Sequence, residues 1–429
     1  MDTMTFIREN WKNTARLCRE SHDGNIGLPY PYFVPSITGG FNNLFYWDSY
    51  FTAQGMLRHG QEALVKSTVD DMLYLIDRYG YMPNGNAKVL MGRSQPPFLS
   101  ELVRQLYGIY QDPVWLRTAY CILQKEHDFC MKKRQLPCGL NRYGFDDLSP
   151  DGIAMGLDVA KRLPGVDFSG KTDAQIAENV MADAESGWDF SPRCMGHQTD
   201  CAYVDLNAIL YGMENNLTFF AQELGEVAEA DKWAQAAQRR KKLMRQMLFD
   251  GEGYRDRDMT TGTFSPIFSV ASFYPLWAGV ATEAEAASTV AQLPRLEYDF
   301  GLATCEPGAR TSAFQWDYPN GWAPLHFIAV HGLLRYGYRA EAERIARKYI
   351  HAIERTFAET GTLWEKYNVT DGTLNVTDEY KMPPMLGWTA GVYVDFTTLL
   401  APNGRCSADS FLSSEARGKC SCFPAQKGG

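Results

Sequence analysis

Apolar residues recur at helical spacing along most of the chain. Three faces are clearest: Val65, Val69, Met72, Leu73 and Ile76; Leu206, Ile209, Leu210, Met213 and Leu217; and Ile345, Tyr349, Ala352 and Ile353. A spacing of three and four residues places each set on one side of a helix. Strand-like alternation of apolar and polar residues is scarce, so the pattern predicts an all-α protein.

Further helical segments are separated by Gly, Pro and Asn, which commonly end helices. They are predicted near residues 4–20, 49–59, 98–110, 113–133, 172–184, 226–248, 265–279, 282–292, 323–336 and 385–400. Consecutive helices can each bury one apolar stripe by closing into a double ring, with the connecting loops around a central pit. We therefore predict a helical barrel whose chemistry lies on its loops.

The length of 429 residues is compatible with one continuous core. We predict a single catalytic domain over residues 1–401, followed by a loosely ordered tail over 402–429, where periodicity is lost. The stretch from Asn141 to Asp183 is rich in Asp and Gly. It predicts a long excursion from the barrel, of a kind that is often functional, and whether it covers the pit is open.

The charge balance limits the kinds of partner. The chain has 42 Lys and Arg against 51 Asp and Glu, a net charge of −9. No broad basic surface is therefore expected for nucleic acid or an anionic membrane. The N-terminus lacks the basic head and apolar run of a signal peptide, and no later stretch is apolar enough to span a bilayer, so we predict a cytoplasmic location.

The ten cysteines are scattered, which agrees with a reducing compartment. Cys194, His197 and Cys201 resemble a set of metal ligands, but a fourth ligand is missing and the spacing matches no common zinc module. We predict no metal site.

Aromatic residues make up 13% of the chain and concentrate in loops beside polar side chains. The loop stretches concerned are GGFNNLFYWDSYF, MPNGNAKVLMGRSQPPF, ESGWDFSPR, QWDYPNGWAP and LWEKYNV. Flat rings beside carboxylates suit ligands that present both C–H faces and hydroxyl groups. The expected ligand is a small sugar.

Two carboxylates in these loops have aromatic neighbours. Asp189 stands between Trp188 and Phe190, which would reduce hydration of the ionised form and raise its pKa, as a general acid requires. Glu365 is the candidate partner that activates water, and this pair of roles is what acetal hydrolysis demands. The alternatives are a helix N-cap for Asp189 and an exposed ion pair with Lys366 for Glu365.

Other loop residues could hold the sugar. Pro96 biases its neighbour Gln95 toward an extended backbone, so that Arg93 and Gln95 could project on the same side, although a solvated surface turn would look the same. Trp316 could stack on a sugar ring or fill the top of the core.

Taken together, these stretches resemble the trehalase family of glycoside hydrolases. The two family signatures look like FNNLFYWDSYF and QWDYPNGWAP, and PNG, RSQPP, LNRY, ESGWDFS, EKY and the pair EY followed by GWTAGV keep the family order. The resemblance implies an (α/α)6 barrel that cleaves an α-glucoside with inversion, without a metal or organic cofactor. It makes Asp189 the general acid and Glu365 the general base. It also implies sugar contacts from Phe41, Trp47, Asp48, Asn84, Arg93, Ser94, Gln95, Gly187, Trp316 and Glu379.

The chain departs from the family pattern at three places. Gly40 stands where the family has a sugar-binding arginine, GFDDLSPDGIAMG replaces an Arg-Pro-Glu-Ser element after LNRY, and TLNVTD replaces a glycine-rich lid. All three concern groups that hold the sugar. We therefore expect α,α-trehalose as the leading substrate, with hydrolysis of another α-glycoside or non-catalytic sugar binding as alternatives. The oligomeric state is left open.

Overall fold

The computed structural model describes residues 1–401 except 39, 164, 309–313, 379 and 385. The tail predicted over 402–429 and the predicted contact Glu379 therefore lie outside the described residues. None of the described helices combines the length and hydropathy needed to cross a bilayer.

Six helices form a closed inner ring. They are α2 (Tyr46–Arg58), α4 (Leu99–Tyr110), α8 (Val204–Glu223), α10 (Tyr274–Ala278), α12 (Ala323–Arg335) and α14 (Gly387–Leu400). Each contacts the next in this order, and α14 contacts α2. They alternate along the chain with α1 (Thr3–Thr14), α3 (Glu62–Tyr79), α5 (Pro113–Lys133), α9 (Val227–Met247), α11 (Glu283–Ala291) and α13 (Arg339–Thr360). This is the predicted (α/α)6 barrel.

The two sets of helices differ in how much of their circumference is buried. The three apolar faces read from the sequence lie on the outer helices α3 and α13 and on the inner helix α8, and all three are buried. The inner helix α2 is buried from Tyr46 to Met56 without interruption. A helix covered on all sides must be apolar or internally paired around its whole circumference, whereas an outer helix needs only one stripe.

The closest packing in the ring joins α2 to α14. A Cβ atom added to Gly391 would lie 2.1 Å from the Phe51 carbonyl oxygen, and one added to Gly55 would lie 2.8 Å from the Gly391 Cα. Neither position has room for a side chain. The two glycines therefore let the helix backbones touch where the ring closes.

The helix predicted over 265–279 is only partly formed. The structure has a 3-10 turn at Val270–Phe273 followed by the short helix α10. Pro275 lies in the first turn of α10, the one place where a residue without an N–H fits a helix. The helix therefore cannot extend toward residue 265.

The predicted excursion contains two helices, α6 (Pro150–Ala160) and α7 (Asp173–Glu185), which pack against each other. Only α7 was predicted. A small apolar cluster, separate from the main core, joins this excursion to the rim of the barrel; it comprises Phe145, Leu163, Val180, Met181, Ala184, Phe190 and Phe314.

The strands form short antiparallel pairs. They are β1 (Ala15–Arg16) with β2 (Tyr32–Phe33), β3 (Cys201–Ala202) with β4 (Arg257–Asp258), β5 (Glu297–Tyr298) with β6 (Gly301–Leu302), and β7 (Asn320–Trp322) with β8 (Lys366–Asn368). In the last pair Trp322 faces Lys366. This pairing ties the segment before α12 to the segment that carries Glu365.

Candidate active site

The described members of the predicted site gather at one end of the barrel. Each lies in the first turns of an inner helix or in a segment that leads into one: α2, α4, α8, α12 or α14. The predicted site therefore lies at the N-terminal ends of the inner helices, as expected for chemistry on the connecting loops.

Asp189 follows α7 and is fixed through its neighbours. The Gln315 side-chain amide donates to the Asp189 carbonyl oxygen, and the Trp316 N–H donates to the Phe190 carbonyl oxygen at 3.1 Å. Trp188 and Phe190 are buried, whereas Asp189 is partly exposed. Asp189 caps none of the described helices, so the N-cap alternative fails.

Gly187 makes the turn between α7 and Asp189. Its φ of +76° is strained for residues with a side chain, and an added Cβ would lie 2.6 Å from Cε2 of Trp47. The predicted contact residue Gly187 thus has a structural reason to be glycine, since it lets the Asp189 segment lie against the indole of Trp47.

Asp189 is set up to hold a proton. Burial raises its pKa to about 7, and the negative charge of Glu365 adds to the rise, while the positive charges of Arg93 and Arg162 oppose it. A carboxyl group with such a pKa is partly protonated at neutral pH, which suits a general acid.

Glu365, unlike Asp189, is held by two hydrogen-bond donors. It is 2% exposed. Its Oε2 accepts a hydrogen bond of 2.9 Å from Lys366 Nζ, and its Oε1 accepts one of 2.7 Å from the Tyr380 hydroxyl. The ion pair with Lys366 exists, but it is buried. The alternative of an exposed ion pair is therefore wrong.

Lys366 also contacts a second carboxylate. Its Nζ lies 2.7 Å from Asp378 Oδ1, and the side chain of Lys366 is fully buried while that of Asp378 is 34% exposed. The ammonium group therefore bridges the buried Glu365 and the segment that replaces the glycine-rich lid.

The charges of the two carboxyl groups act on the same neighbouring side chains. The charges of both Glu365 and Asp189 raise the pKa of Tyr380, after the larger effect of burial. The same three causes raise the pKa of Asp48 to about 8. Asp48, predicted as a sugar contact, is thus a third carboxyl group in electrostatic reach of the pair.

The RSQ stretch is held by backbone contacts. Ser94 N–H donates to Glu185 Oε1 at 2.8 Å, and the Asn84 side chain donates to the Ser94 carbonyl at 3.1 Å. Gln95 Oε1 accepts from the Trp47 N–H at 3.1 Å. The solvated-turn alternative is therefore wrong for this stretch, which is anchored to α2 and α7.

Arg93 and Phe41 are only partly buried. Arg93 is partly buried, donates to the Val89 carbonyl at 3.2 Å and places its charge where it lowers the pKa of Asp189. The ring of Phe41 packs edge-on against Phe45 and Tyr380, at centroid distances of 5.6 and 6.2 Å.

Trp316 is 1% exposed and stacks on Trp322 with ring centroids 3.8 Å apart. Its ring also lies 5.5 Å from Trp47 and 5.7 Å from Trp188. A ring this covered offers a sugar little surface. The geometry favours the alternative that Trp316 fills the top of the core, and its sugar contact stays a prediction.

Sequence reasoning missed two residues that act on the carboxyl pair. Tyr380 belongs to a Glu-Tyr pair that carried the family resemblance, so its motif was a usable signal. Arg162, whose charge reaches Asp189, lies in the excursion where no motif pointed to it.

The three possible metal ligands do not form one site. Cys194 and Cys201 are buried, whereas His197 is largely exposed. Across the described ranges, no group of three His, Cys, Asp or Glu side chains is placed to hold a metal ion.

Sequence comparison with known proteins identifies a family. A sequence model described as Trehalase matches residues 4–401. A periplasmic trehalase of Xanthomonas oryzae pv. oryzae is 34% identical over 409 residues, covering 89% of this chain and 70% of the relative. One from Pseudomonas aeruginosa is 32% identical over 434 residues, covering 94% and 77%. The predicted cytoplasmic location is wrong, because these curated relatives are named periplasmic enzymes.

Solved structures agree on the fold. The neutral trehalase of Saccharomyces cerevisiae superposes with a TM-score of 0.74 at 25% identity, covering 96% of this chain and 82% of that one. A mannosylglycerate hydrolase from Thermus thermophilus gives a TM-score of 0.62 at 18% identity, covering 92% and 99%. The second match supports the fold alone.

Proposed function

This chain belongs to the trehalase family, and from that premise we propose that it hydrolyses α,α-trehalose to two molecules of glucose with inversion. The observation that carries the proposal is the contrast within one pit. Asp189 has a pKa raised to about 7, and Glu365 is held by a buried ammonium group. One carboxyl group can give a proton while the other can take one.

The reaction then proceeds in one displacement. Asp189 donates its proton to the oxygen that joins the two sugars, and Glu365 removes a proton from a water molecule on the opposite face of the ring. The water oxygen bonds to the anomeric carbon as the bond to the leaving sugar breaks. The products are one β-glucose, one α-glucose, an ionised Asp189 and a protonated Glu365, and proton exchange with solvent restores both.

The separation of the two carboxyl groups is part of the proposal. Room for water between them requires roughly 6.5 to 9.5 Å in inverting enzymes. The charges of Asp189 and Glu365 both raise the pKa of Tyr380 and of Asp48, which supports a shared site.

Sugar binding is assigned to the polar groups around the pit. We propose Asp48, Arg93 and Asn84 as hydrogen-bond partners of the hydroxyl groups, together with Ser94 and Gln95. Phe41 would supply apolar contact, and its place beside Tyr380 supports this role. Trp47 is as buried as Trp316, so it would support the site from below. We also infer that residues 1–401 form one catalytic domain, since the main buried cluster includes side chains from α1 to α14.

Another α-glycoside is the second candidate substrate. A Cβ added at Gly40, which stands at the place of a family arginine, would meet no atom of the described residues within 4 Å. Open space at that point supports a wider range of leaving groups. The net charge of −9 supports a neutral ligand rather than nucleic acid or an anionic membrane.

Proton NMR tests the proposal directly. With trehalose as substrate, the α and β anomers of glucose should appear at equal initial rates before mutarotation. Formation of α-glucose alone would contradict inversion. Glucose release only from other α-linked disaccharides would select the second candidate, and binding without turnover would select a non-catalytic sugar-binding role.

A further inference from the structure

Helix α6 lies between two segments of the predicted site. Before the helix begins, the Asp146 N–H donates to the Gly92 carbonyl at 2.8 Å, next to Arg93. After the helix ends, Leu163 is buried in the same small cluster as Phe190, the residue after Asp189. The helix therefore runs from the Arg93 segment to the Asp189 segment.

The position of this helix is fixed by close packing. A Cβ added to Gly156 would lie 2.5 Å from the Cβ of Ala177, so α6 and α7 approach without space for a side chain. Ser149 caps the first turn, and the Arg162 N–H donates to the Val159 carbonyl at 2.9 Å. The residues just after α6 thus have a defined place beside Asp189.

The charge of Arg162 has no competing local use. Neighbouring Lys161 lies 3.4 Å from Asp158, and Arg142 lies 3.2 Å from Glu178. Within the described ranges, Arg162 forms no ion pair of its own, and its side chain is exposed. Its charge acts on Asp189, where it partly offsets the rise in pKa caused mainly by burial.

We propose that Arg162 binds the hydroxyl groups of the leaving sugar on the acid side of the pit. The acid protonates the oxygen of the leaving group, so the sugar held beyond Asp189 is the one that departs. A guanidinium group offers five donors and no acceptor, which suits neighbouring sugar hydroxyls. This assignment rests on the proposed function and makes Arg162 a specificity-determining residue.

The test compares two substrates that share the attacked sugar. Trehalose has a leaving glucose, whereas α-D-glucosyl fluoride has only a fluoride in its place. Arg162→Gln should raise KM for trehalose roughly tenfold to a hundredfold, the range for loss of a hydrogen bond to a charged donor. KM for the fluoride should stay within about twofold, because that substrate has no hydroxyl groups beyond the acid.

Lys161→Gln is the matched control, since it removes a neighbouring exposed charge and should leave both KM values unchanged. A pH profile gives a second readout. The groups whose charges act on Asp189 are Arg93, Arg162 and Glu365, with Asp48 and Tyr380 in reach. Without Arg162 the pKa of Asp189 rises, so the alkaline limb of kcat/KM should move to higher pH.

An unchanged KM for trehalose, or an equal rise for both substrates, overturns the assignment. Failure of the proposed substrate would appear in the wild-type protein, as no glucose from trehalose. The variant is then compared with wild type on the α-glucoside that wild type does cleave. Failure of the proposed function is therefore seen in the wild-type protein, and failure of the Arg162 assignment is seen in the variant.

Discussion

The surroundings of Asp189 and Glu365 differ although both are carboxylates in one pit. Asp189 has aromatic neighbours, and the described cations near it act from beyond ion-pair distance. Glu365 is buried deeper, yet it receives hydrogen bonds from an ammonium group and a phenol. Depth of burial alone therefore does not assign their roles. The partners of each group decide which one gives the proton and which one takes it.

Removing the base should have the largest effect. Glu365→Gln is expected to lower kcat by about a thousandfold or more on both trehalose and α-D-glucosyl fluoride, because both need an activated water. Glutamine can still accept from Tyr380, and Lys366 retains Asp378, so the thermal midpoint should fall only slightly. Glu285→Gln, which changes a carboxylate on α11 paired with Arg245 at 3.0 Å, is the control and should keep its rate. A large loss on only one substrate would remove Glu365 from its role.

Removing the acid should separate the substrates. Asp189→Asn is expected to lower kcat on trehalose by roughly a hundredfold to a thousandfold, but much less on the fluoride, which leaves without protonation. The wild-type rate should fall as pH rises through about 7, where Asp189 loses its proton. This alkaline limb should vanish in the variant. Equal losses on both substrates, with the limb intact, would show that another group is the acid.

The sequence predicted the barrel better than the surroundings of its carboxylates. The faces on α3, α8 and α13 are local patterns, since the stripe of a helix depends only on residues three and four apart. Helix α6 was missed because Gly152 and Gly156 make its segment look like a loop. Gly156 is required by a contact with Ala177, which belongs to another helix and leaves no local signal.

The same reason explains the error about the Glu365 and Lys366 pair. Two neighbouring opposite charges usually lie on a solvated surface. Here the pairing of β7 with β8 places Lys366 opposite Trp322, with its ammonium 4.9 Å from the indole ring centre. That pairing joins segments far apart in the chain, so the burial of the ion pair could not be read from the short motif.

Removing the cation beside the base should have an intermediate effect. Lys366→Met leaves Glu365 buried with Tyr380 as its hydrogen-bond donor, and loss of one partner of a buried pair costs about 3 to 5 kcal/mol of stability. The charge of the base then lacks its ammonium partner, so kcat at neutral pH should fall roughly tenfold to a hundredfold. Lys66→Met, which breaks a 2.7 Å pair with Asp70 on α3, is the control. An unchanged kcat would show that Lys366 is only structural.

The smallest effect is expected at Asp378, on the solvent side of the same ammonium group. Its side chain is 34% exposed, so water can replace it in Asp378→Asn while Lys366 keeps its 2.9 Å contact with Glu365. Partly exposed ion pairs contribute about 0 to 1 kcal/mol, which corresponds to less than roughly fivefold in kcat. Rate profiles of the two variants, measured side by side, check this order. If Asp378→Asn lowered kcat as far as Lys366→Met does, the action of Glu365 would depend on the whole bridge, and the contrast between the two carboxylates would extend to the segment that replaces the lid.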